Sequence, residues 1–600
     1  MKEKFFSWLK TLNLPSREEL FFAFESLKPT TKKIFLALTI VFIISFLALI
    51  SKLNNKLMTD VPITGGSLTE GVVGSPRFVN PLLATSDVDR DLTTLVYSGL
   101  LRLVPGRGYE PDLAESHEIS DDGLTYTFHL RKNLRWSDGE KLTADDIVFT
   151  IEKAQDQEIK SPKRGSWNGV TVKKVDDRTV QFLLKKPYNF FLENTTLGIL
   201  PEHLWKGIKP EQFPLSSLNT NPIGSGPYEV VNVNKDSFGI PSSYNLKPFK
   251  NFALGTPRIN LTLRFYNSEK DLLTGLGNGE VGSASAITPS TAEKLSKGGQ
   301  KIIQSPLPRT FAVFLNQSHN QIFVDPVIRE ALNLAIDRKV LVKDVLAGYG
   351  VPLDSVLPES IVGKKEEEIK GINEALALLK EKGWEINAQG ELEKKAKSTT
   401  VKVKNSKGKL VTTTAKSAAV GPVSFTLATA NISELKTAAE TIARDWGKLG
   451  IKVNVEIFEP GDLNQDIIRP RRYDALLFGE VVGRDYDLYP FWHSSQRLDP
   501  GLNIALYANN KVDTLLEEIR ESNKIKDLSD KYKSVAEEIS KDQPVVFLYQ
   551  PDFLYAVPSD LKGVQLPVIS SPSDRFSGIY RWYFKTDRVW SIFARIASYF

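Results

Sequence analysis

The chain has 600 residues, too many for one hydrophobic core, so two or three domains are expected. A quarter of the residues are charged and 41% are hydrophobic, the balance of an ordinary globular protein. A net charge of +5 is too small for this length to point to nucleic acid, and the lack of any cysteine excludes disulfides, thiolate metal sites and cysteine nucleophiles together.

Residues 1–33 carry seven Lys/Arg against four Glu. Ser16-Arg17-Glu18-Glu19 is a capping box followed by Leu20, Phe21, Phe24 and Leu27. The segment reads as a cytoplasmic tail with a short amphipathic helix on the inner membrane face, or as a solvated tail with incidental aromatics. The run from Ile34 to Ile50 is 17 residues without a charge, and Leu53 with flanking lysines extends it to a transmembrane helix over 34–53. The basic residues before it place the N-terminal side in the cytoplasm and the main body outside. A cleaved signal peptide is the alternative. The run sits late and SKLNNKLMTD offers no small-x-small site, so a single-pass, uncleaved signal anchor is preferred. Residues 54–64 read as a polar tether.

The most patterned stretch runs from Pro111 to Glu152, PDLAESHEISDDGLTYTFHLRKNLRWSDGEKLTADDIVFTIE. Leu124, Tyr126, Phe128 and Leu130 alternate with Thr125, Thr127 and His129, which predicts a half-buried strand after the Asp122-Gly123 turn. Thr143-Ala144-Asp145-Asp146 predicts a capped helix start, with Ile147, Val148 and Ile151 as its apolar face. Val170–Leu184 alternates around Asp176-Asp177 and reads as a second hairpin. Gly224-Ser225-Gly226-Pro227-Tyr228 is a tight turn before a strand; it lacks the Lys-Ser/Thr that a phosphate cradle needs. Asp325-Pro326 opens a helix whose buried stripe is Ile328, Ala331, Leu332 and Ala335. A helix is expected from Glu374 to Gly383. Residues 396–420 form a lysine-rich insertion in which Val401 and Val403 are expected to face Leu410 and Thr412 across an exposed hairpin, open to anionic polymers or simply solvated. Leu435 to Leu449 has helical spacing, Gly450 ends it, and Ile451, Val453, Val455 and Ile457 alternate, an α/β unit. Residues 591–600 are an apolar tail, lying on the membrane or on the protein.

PDLAES, TYTFHLR and WSDGEKLTADDIVFTIE together resemble the signature of the family 5 solute-binding proteins, the peptide/nickel-type receptors of ABC importers. The similarity continues more loosely from Gly65 to Trp590, through Asn80-Pro81, Tyr97-Ser98-Gly99-Leu100, the Leu200–Trp205 stretch, the Gly224–Tyr228 turn, Glu280, the Arg309–Asn316 strand and Ile336-Asp337-Arg338. The resemblance implies an α/β, two-lobed periplasmic-binding-protein fold, type II and cluster C-like, with an extra subdomain. Lobe I would comprise 65–101, 224–308 and 545–590, the subdomain 102–223, and lobe II 309–544. It implies a monomeric receptor that passes a ligand to permease subunits with a separate ATPase, using no cofactor. An oligopeptide is the leading ligand; nickel chelate, haem and oligosaccharide are alternatives within the family, and a surface hydrolase or an adhesin outside it.

Catalytic signatures are missing. The sequence contains no HExxH, GxSxG or GxxxxGK[ST], and its five histidines lack metal-ligand spacing, so neither an enzyme nor a metal site is expected. The implied chemistry is binding. A peptide lies extended, pairs its main chain with receptor strands and offers an ammonium group to a carboxylate. The resemblance puts that carboxylate at Asp485, with Asp487 the alternative; each is equally readable as a turn cap or a surface ion pair. Thr310, Phe311 and Ala312 would supply main-chain hydrogen bonds, Arg309 would meet a ligand carboxylate, Tyr489 and Trp492 would line side-chain pockets, and Asn80 would lie on the opposite wall.

Overall fold

The computed structural model describes residues 16–104, 107–358, 361, 363, 371–396, 398–404, 410–416, 419–483, 486–522, 525–566 and 568–591. They fall into two compact units, one built from 1–63 with 585–600 and the other from Thr64–Phe584.

In the first unit Ser16 and Glu19 close the expected capping box on α1 (Arg17–Glu25). A second helix, α2 (Pro29–Leu57), starts with proline at its first turn, where the missing N–H costs nothing. Its stretch Pro29–Lys52 is 24 residues long and apolar enough to cross a membrane. The helix runs directly into β1 (Met58–Ile63), where the sequence predicts a polar tether. β1 becomes a strand because a partner reaches it from the far end of the sequence, as described below.

The second unit begins with β2 (Ser67–Val73) and α3 (Asp87–Val96), whose N-cap Ser86 forms a capping box with Asp89. The extra subdomain follows as a four-stranded antiparallel sheet ordered β3 (Ala114–Ile119), β4 (Thr125–Leu130), β6 (Thr179–Leu183), β5 (Thr171–Asp176). Helix α4 (Ala144–Gln155) packs beside it. Thr143 Oγ1 accepts from Asp145 N, the Asp146 carboxylate accepts from Thr143 N at 2.8 Å, and its other oxygen accepts from Glu202 N at 2.9 Å. A cap of this kind contributes about 1 kcal/mol, and here it also fastens the Leu200–Trp205 stretch to the helix start. The chain re-enters the lobe at Gly224 and Gly226. A Cβ on Gly224 would sit 1.9 Å from Val96 O, so the C-terminal end of α3 can approach only a glycine there.

Lobe I continues with β7 (Tyr228–Lys235), β8 (Pro241–Pro248), β9 (Asn260–Tyr266), β10 (Ser283–Ser285) and β11 (Lys301–Pro306). β12 (Arg309–Leu315) opens lobe II. Asp325 caps α5 (Pro326–Leu334), which buries Ile328, Ala331 and Leu332 as expected. The lysine-rich insertion is a hairpin of β13 (Ser398–Lys404) and β14 (Leu410–Lys416). Val403 faces Val411 and Val401 faces Thr413, one residue away from the expected register. β15 (Ser424–Ala430), α6 (Ser433–Gly447) and β16 (Lys452–Phe458) form the anticipated α/β unit, and β15 and β16 pair in parallel. β17 (Ala475–Val481), α7 (Asn510–Glu521) and β18 (Val545–Val557) complete the lobes.

One sheet path runs β16-β15-β17-β12-β18-β10-β2-β9-β8-β7, with β11 also on β18. β18 belongs to both halves: Val545 to Tyr549 pair with β12, and Asp552 to Val557 pair with β11. Each lobe has its own large core. One centres on Phe314, Phe425 and Trp446, the other on Trp136, Phe182 and Tyr228. Finally β19 (Lys585–Trp590) pairs antiparallel with β1, Met58 opposite Trp590 and Ile63 opposite Lys585. Residues 592–600 of the apolar tail lie outside the described residues.

Candidate functional site

The lobes are joined by two neighbouring crossings. One is Pro306-Leu307-Pro308 between β11 and β12; the other is β18 itself. Leu307 N donates to Pro551 O at 3.2 Å, and Gln550 Nε2 donates to Leu307 O, so the two crossings are bonded to each other. Away from this hinge the lobes meet again. Asn189 N donates to Arg520 O at 2.9 Å, Lys186 Nζ lies 3.5 Å from Glu521, and Tyr188 packs against both cores. The cleft therefore lies between a hinge and a contact of the subdomain with α7.

On the lobe II wall β12 and β17 run side by side. Phe311 and Ala312 were expected to offer main-chain groups to a ligand, and the structure corrects this. Each is paired on both sides, by Gly479 and Phe478 of β17 and by Tyr549 and Phe547 of β18, so their peptide groups are spent. Thr310 is paired with Glu480 on one side and is buried. The open edge belongs to β17 instead. β15 pairs with it only at Ala475 and Leu476, and among the described residues no strand covers that edge from Leu477 to Val481; Leu477 O there accepts from Thr429 Oγ1 at 3.0 Å. Obligatory backbone donors and acceptors along such an edge are a template for an added strand.

Arg309 faces Val481 across the β12–β17 ladder. It is half-buried and makes no ion pair among the described residues; burial lowers its guanidinium below the ordinary value, while Asp87 acts in the opposite sense. Phe311 stacks on Tyr549 at 5.2 Å. Glu480 was not singled out from the sequence. It is 5% exposed, its Oε1 has no partner among the described residues, and burial pushes its carboxyl well above the ordinary range. A charged residue inside the otherwise apolar ALLFGEV was the signal that could have found it.

Asp485 lies outside the described residues. Asp487 is committed elsewhere: Arg520 grips it with two nitrogens, Nη2 at 2.6 Å and Nε at 3.0 Å, and it also accepts from Tyr489 N. A bidentate grip of this kind leaves little of the carboxylate for a ligand. Tyr489 is sandwiched between the His493 ring at 4.1 Å and the Arg520 guanidinium at 4.0 Å. Trp492, expected to line a pocket, is fully buried core against Tyr507 and Phe547. Asn80, expected on the opposite wall, is also fully buried: its amide donates to Asn219 Oδ1 at 3.0 Å and its oxygen accepts from Leu82 N, a turn-fixing role. Among the described residues no cluster of three or more His, Cys, Asp or Glu could hold a metal ion.

Two lobes on a shared strand, with a cleft between hinge and closing contact, define a periplasmic-type binding protein. The sequence matches the profile described as bacterial extracellular solute-binding proteins, family 5 middle, over residues 108–499, and the chain belongs to that family. It is 28% identical over 532 residues to the oligopeptide-binding protein AppA of Bacillus subtilis (strain 168), covering 86% of this chain and 91% of AppA. The structure of B. subtilis AppA in complex with a nonapeptide matches with a TM-score of 0.64 at 26% identity, covering 88% of this chain and 100% of that chain. NikZ from Campylobacter jejuni in complex with Ni(L-His) matches with a TM-score of 0.67 at 26% identity, covering 86% and 99%. The chain is thus a substrate-binding receptor of a peptide/nickel-type ABC importer, and a receptor of this family binds rather than catalyses.

Proposed function

We propose that the receptor is held in the cell membrane by the span in α2, with its N-terminal side cytoplasmic, and that it captures oligopeptides outside for the permease. The open edge of β17 carries the peptide reading. An extended peptide can add to Leu477–Val481 as a strand, with main-chain hydrogen bonds giving affinity that depends little on sequence. Asp485, four residues beyond this edge in sequence, supplies the carboxylate for the peptide ammonium, and Arg309, which has no ion pair among the described residues, meets a ligand carboxylate. AppA, a relative named for oligopeptide binding and solved in complex with a nonapeptide, supports the same reading.

Native mass spectrometry of the full chain, purified in detergent without refolding, tests it. The expected result is a heterogeneous set of co-purified masses that fragment as short peptides and that diminish in Asp485→Ala. A single non-peptide mass would replace the ligand class while keeping the receptor.

A further inference from the structure

We propose that a cavity inside lobe I binds a small zwitterion, a free amino acid being the simplest, at a site separate from the cleft between the lobes. The cavity has a volume of about 170 Å³ and lies where the end of α3, the 98–103 and 196–198 stretches and the 574–580 turn meet. Among the described residues none of lobe II lines it. Four of its lining residues each keep one buried polar atom without a hydrogen-bond partner among the described residues: Thr93 Oγ1, Tyr97 OH, Arg102 Nε and Asp112 Oδ1. Native interiors leave few such atoms, and a group of them around one space points to a missing occupant.

The four groups are held in place by their surroundings. Thr93 and the C-cap residue Tyr97 stand one helical turn apart at the end of α3 and share a face. A Cβ on Gly198 would lie 2.9 Å from Tyr97 Cβ, so the 196–198 stretch presses closely on Tyr97. Arg102 donates from Nη1 to Ser577 O at 2.9 Å and from Nη2 to Glu110 Oε2 and Tyr580 OH, each at 3.0 Å. These bonds pin the guanidinium and leave only Nε unused. Asp112 N donates to Leu100 O at 3.1 Å, and Asp112 O accepts from Arg131 Nε at 2.7 Å. Burial pushes the Asp112 carboxyl up to about 6, with Arg102, the Ser98 hydroxyl and Arg131 pulling the other way, so it is predominantly ionised at neutral pH. Arg102 and Asp112 thus line one space without pairing with each other. A buried cation and a buried carboxylate held apart each gain from a molecule that carries both charges. The carboxylate of such a molecule accepts from Arg102 Nε, its ammonium donates to Asp112 Oδ1, and the two hydroxyls serve either end. Asp574, the other carboxylate on the wall, is taken up by the amides of Ser570 and Ser571. One water needs only about 10–15 Å³ of such space, so there is room for a compact molecule.

Equilibrium dialysis of the full chain in detergent against radiolabelled L-alanine tests the site, with propionate and ethylammonium as probes that keep one charge each. The expected result is saturable binding of alanine, about tenfold or more tighter than either half-molecule, because each half lacks one charged hydrogen bond. Asp112→Asn should abolish it. Tyr97→Phe and Thr93→Val remove only hydroxyls that lack partners, so both should melt no lower than the parent chain without ligand. Both should nevertheless lose most of the rise in melting temperature that alanine gives. Absence of saturable alanine binding into the millimolar range overturns the proposal, and a lower melting temperature of Tyr97→Phe would then assign the cavity to ordered water. Alanine binding that survives Asp112→Asn and is lost in Asp485→Ala places the amino acid in the cleft; that result also overturns the proposal, while peptide capture stands.

Discussion

Lobe I and lobe II each bury charge, and they do so in opposite ways. In lobe I the Arg575 side chain is fully enclosed and spends every N–H. Nε and Nη2 reach Glu70, Nη1 and Nη2 reach Asp91 at 2.7 and 2.6 Å, and Nη1 also donates to Pro572 O. Tyr555 donates to the remaining Glu70 oxygen at 2.6 Å. That cluster ties β2, α3 and β18 to the 572–576 turn. In lobe II, Glu480 is buried near the end of β17, and its Oε1 has no partner among the described residues. Desolvation costs several kcal/mol per ion, and only a full set of hydrogen bonds offsets it. Complete satisfaction marks a structural joint. Incomplete satisfaction beside a cleft marks a place where a ligand can supply the missing partner.

The largest effect should come from breaking the joint. Arg575→Met leaves two carboxylates enclosed without a cation, and we expect a loss of about 3–5 kcal/mol in urea unfolding followed by tryptophan fluorescence. A loss under about 1 kcal/mol would mean that the cluster is not the clamp its geometry suggests. Arg520→Ala removes the bidentate grip on Asp487, the stacking on Tyr489 and the approach to Tyr188 of the other lobe. It should cost about 1–2 kcal/mol and speed ligand release, because the closing contact is loosened.

Glu480→Gln sharpens the comparison through pH. A carboxyl raised in the folded chain holds its proton more tightly there than when unfolded. Stability is therefore fully present at low pH and is lost as pH climbs above the ordinary carboxylate range. The glutamine does not titrate, so the variant should gain on the order of 1 kcal/mol at neutral pH and show a flatter limb in that direction. A slope unchanged by the substitution would show that Glu480 already has a cationic partner. Lys186→Ala should do least. Its pair with Glu521 is exposed and 3.5 Å long, so a change within about 0.5 kcal/mol is expected.

Local signals were legible in the sequence, and distant neighbours were not. The Leu124–Leu130 alternation and the Thr143 and Asp325 caps each concern residues within a few positions, and each appears where expected, whereas the helix expected to run up to Gly450 ends at Gly447. Phe311 and Ala312 read correctly as a strand, but no pattern within that strand tells how many strands flank it. Asp487 looked available because Arg520 lies 33 residues further on. Residues 58–63 have no hydrophobic alternation, and their strand exists only because 585–590 folds back to meet them. Asn80 and Trp492 fit a site by family position, while burial assigns both to the interior.

The doubling of the hinge has a mechanical consequence. Two crossings lying next to each other in one sheet, bonded through Leu307 to Pro551 and Gln550, resist shear and twist far more than bending across their common line. The relative motion of the lobes is thereby reduced to about one angular coordinate. A permease reading this receptor needs to sense only that angle, so different ligands can present the same signal once each has drawn the lobes to the same value.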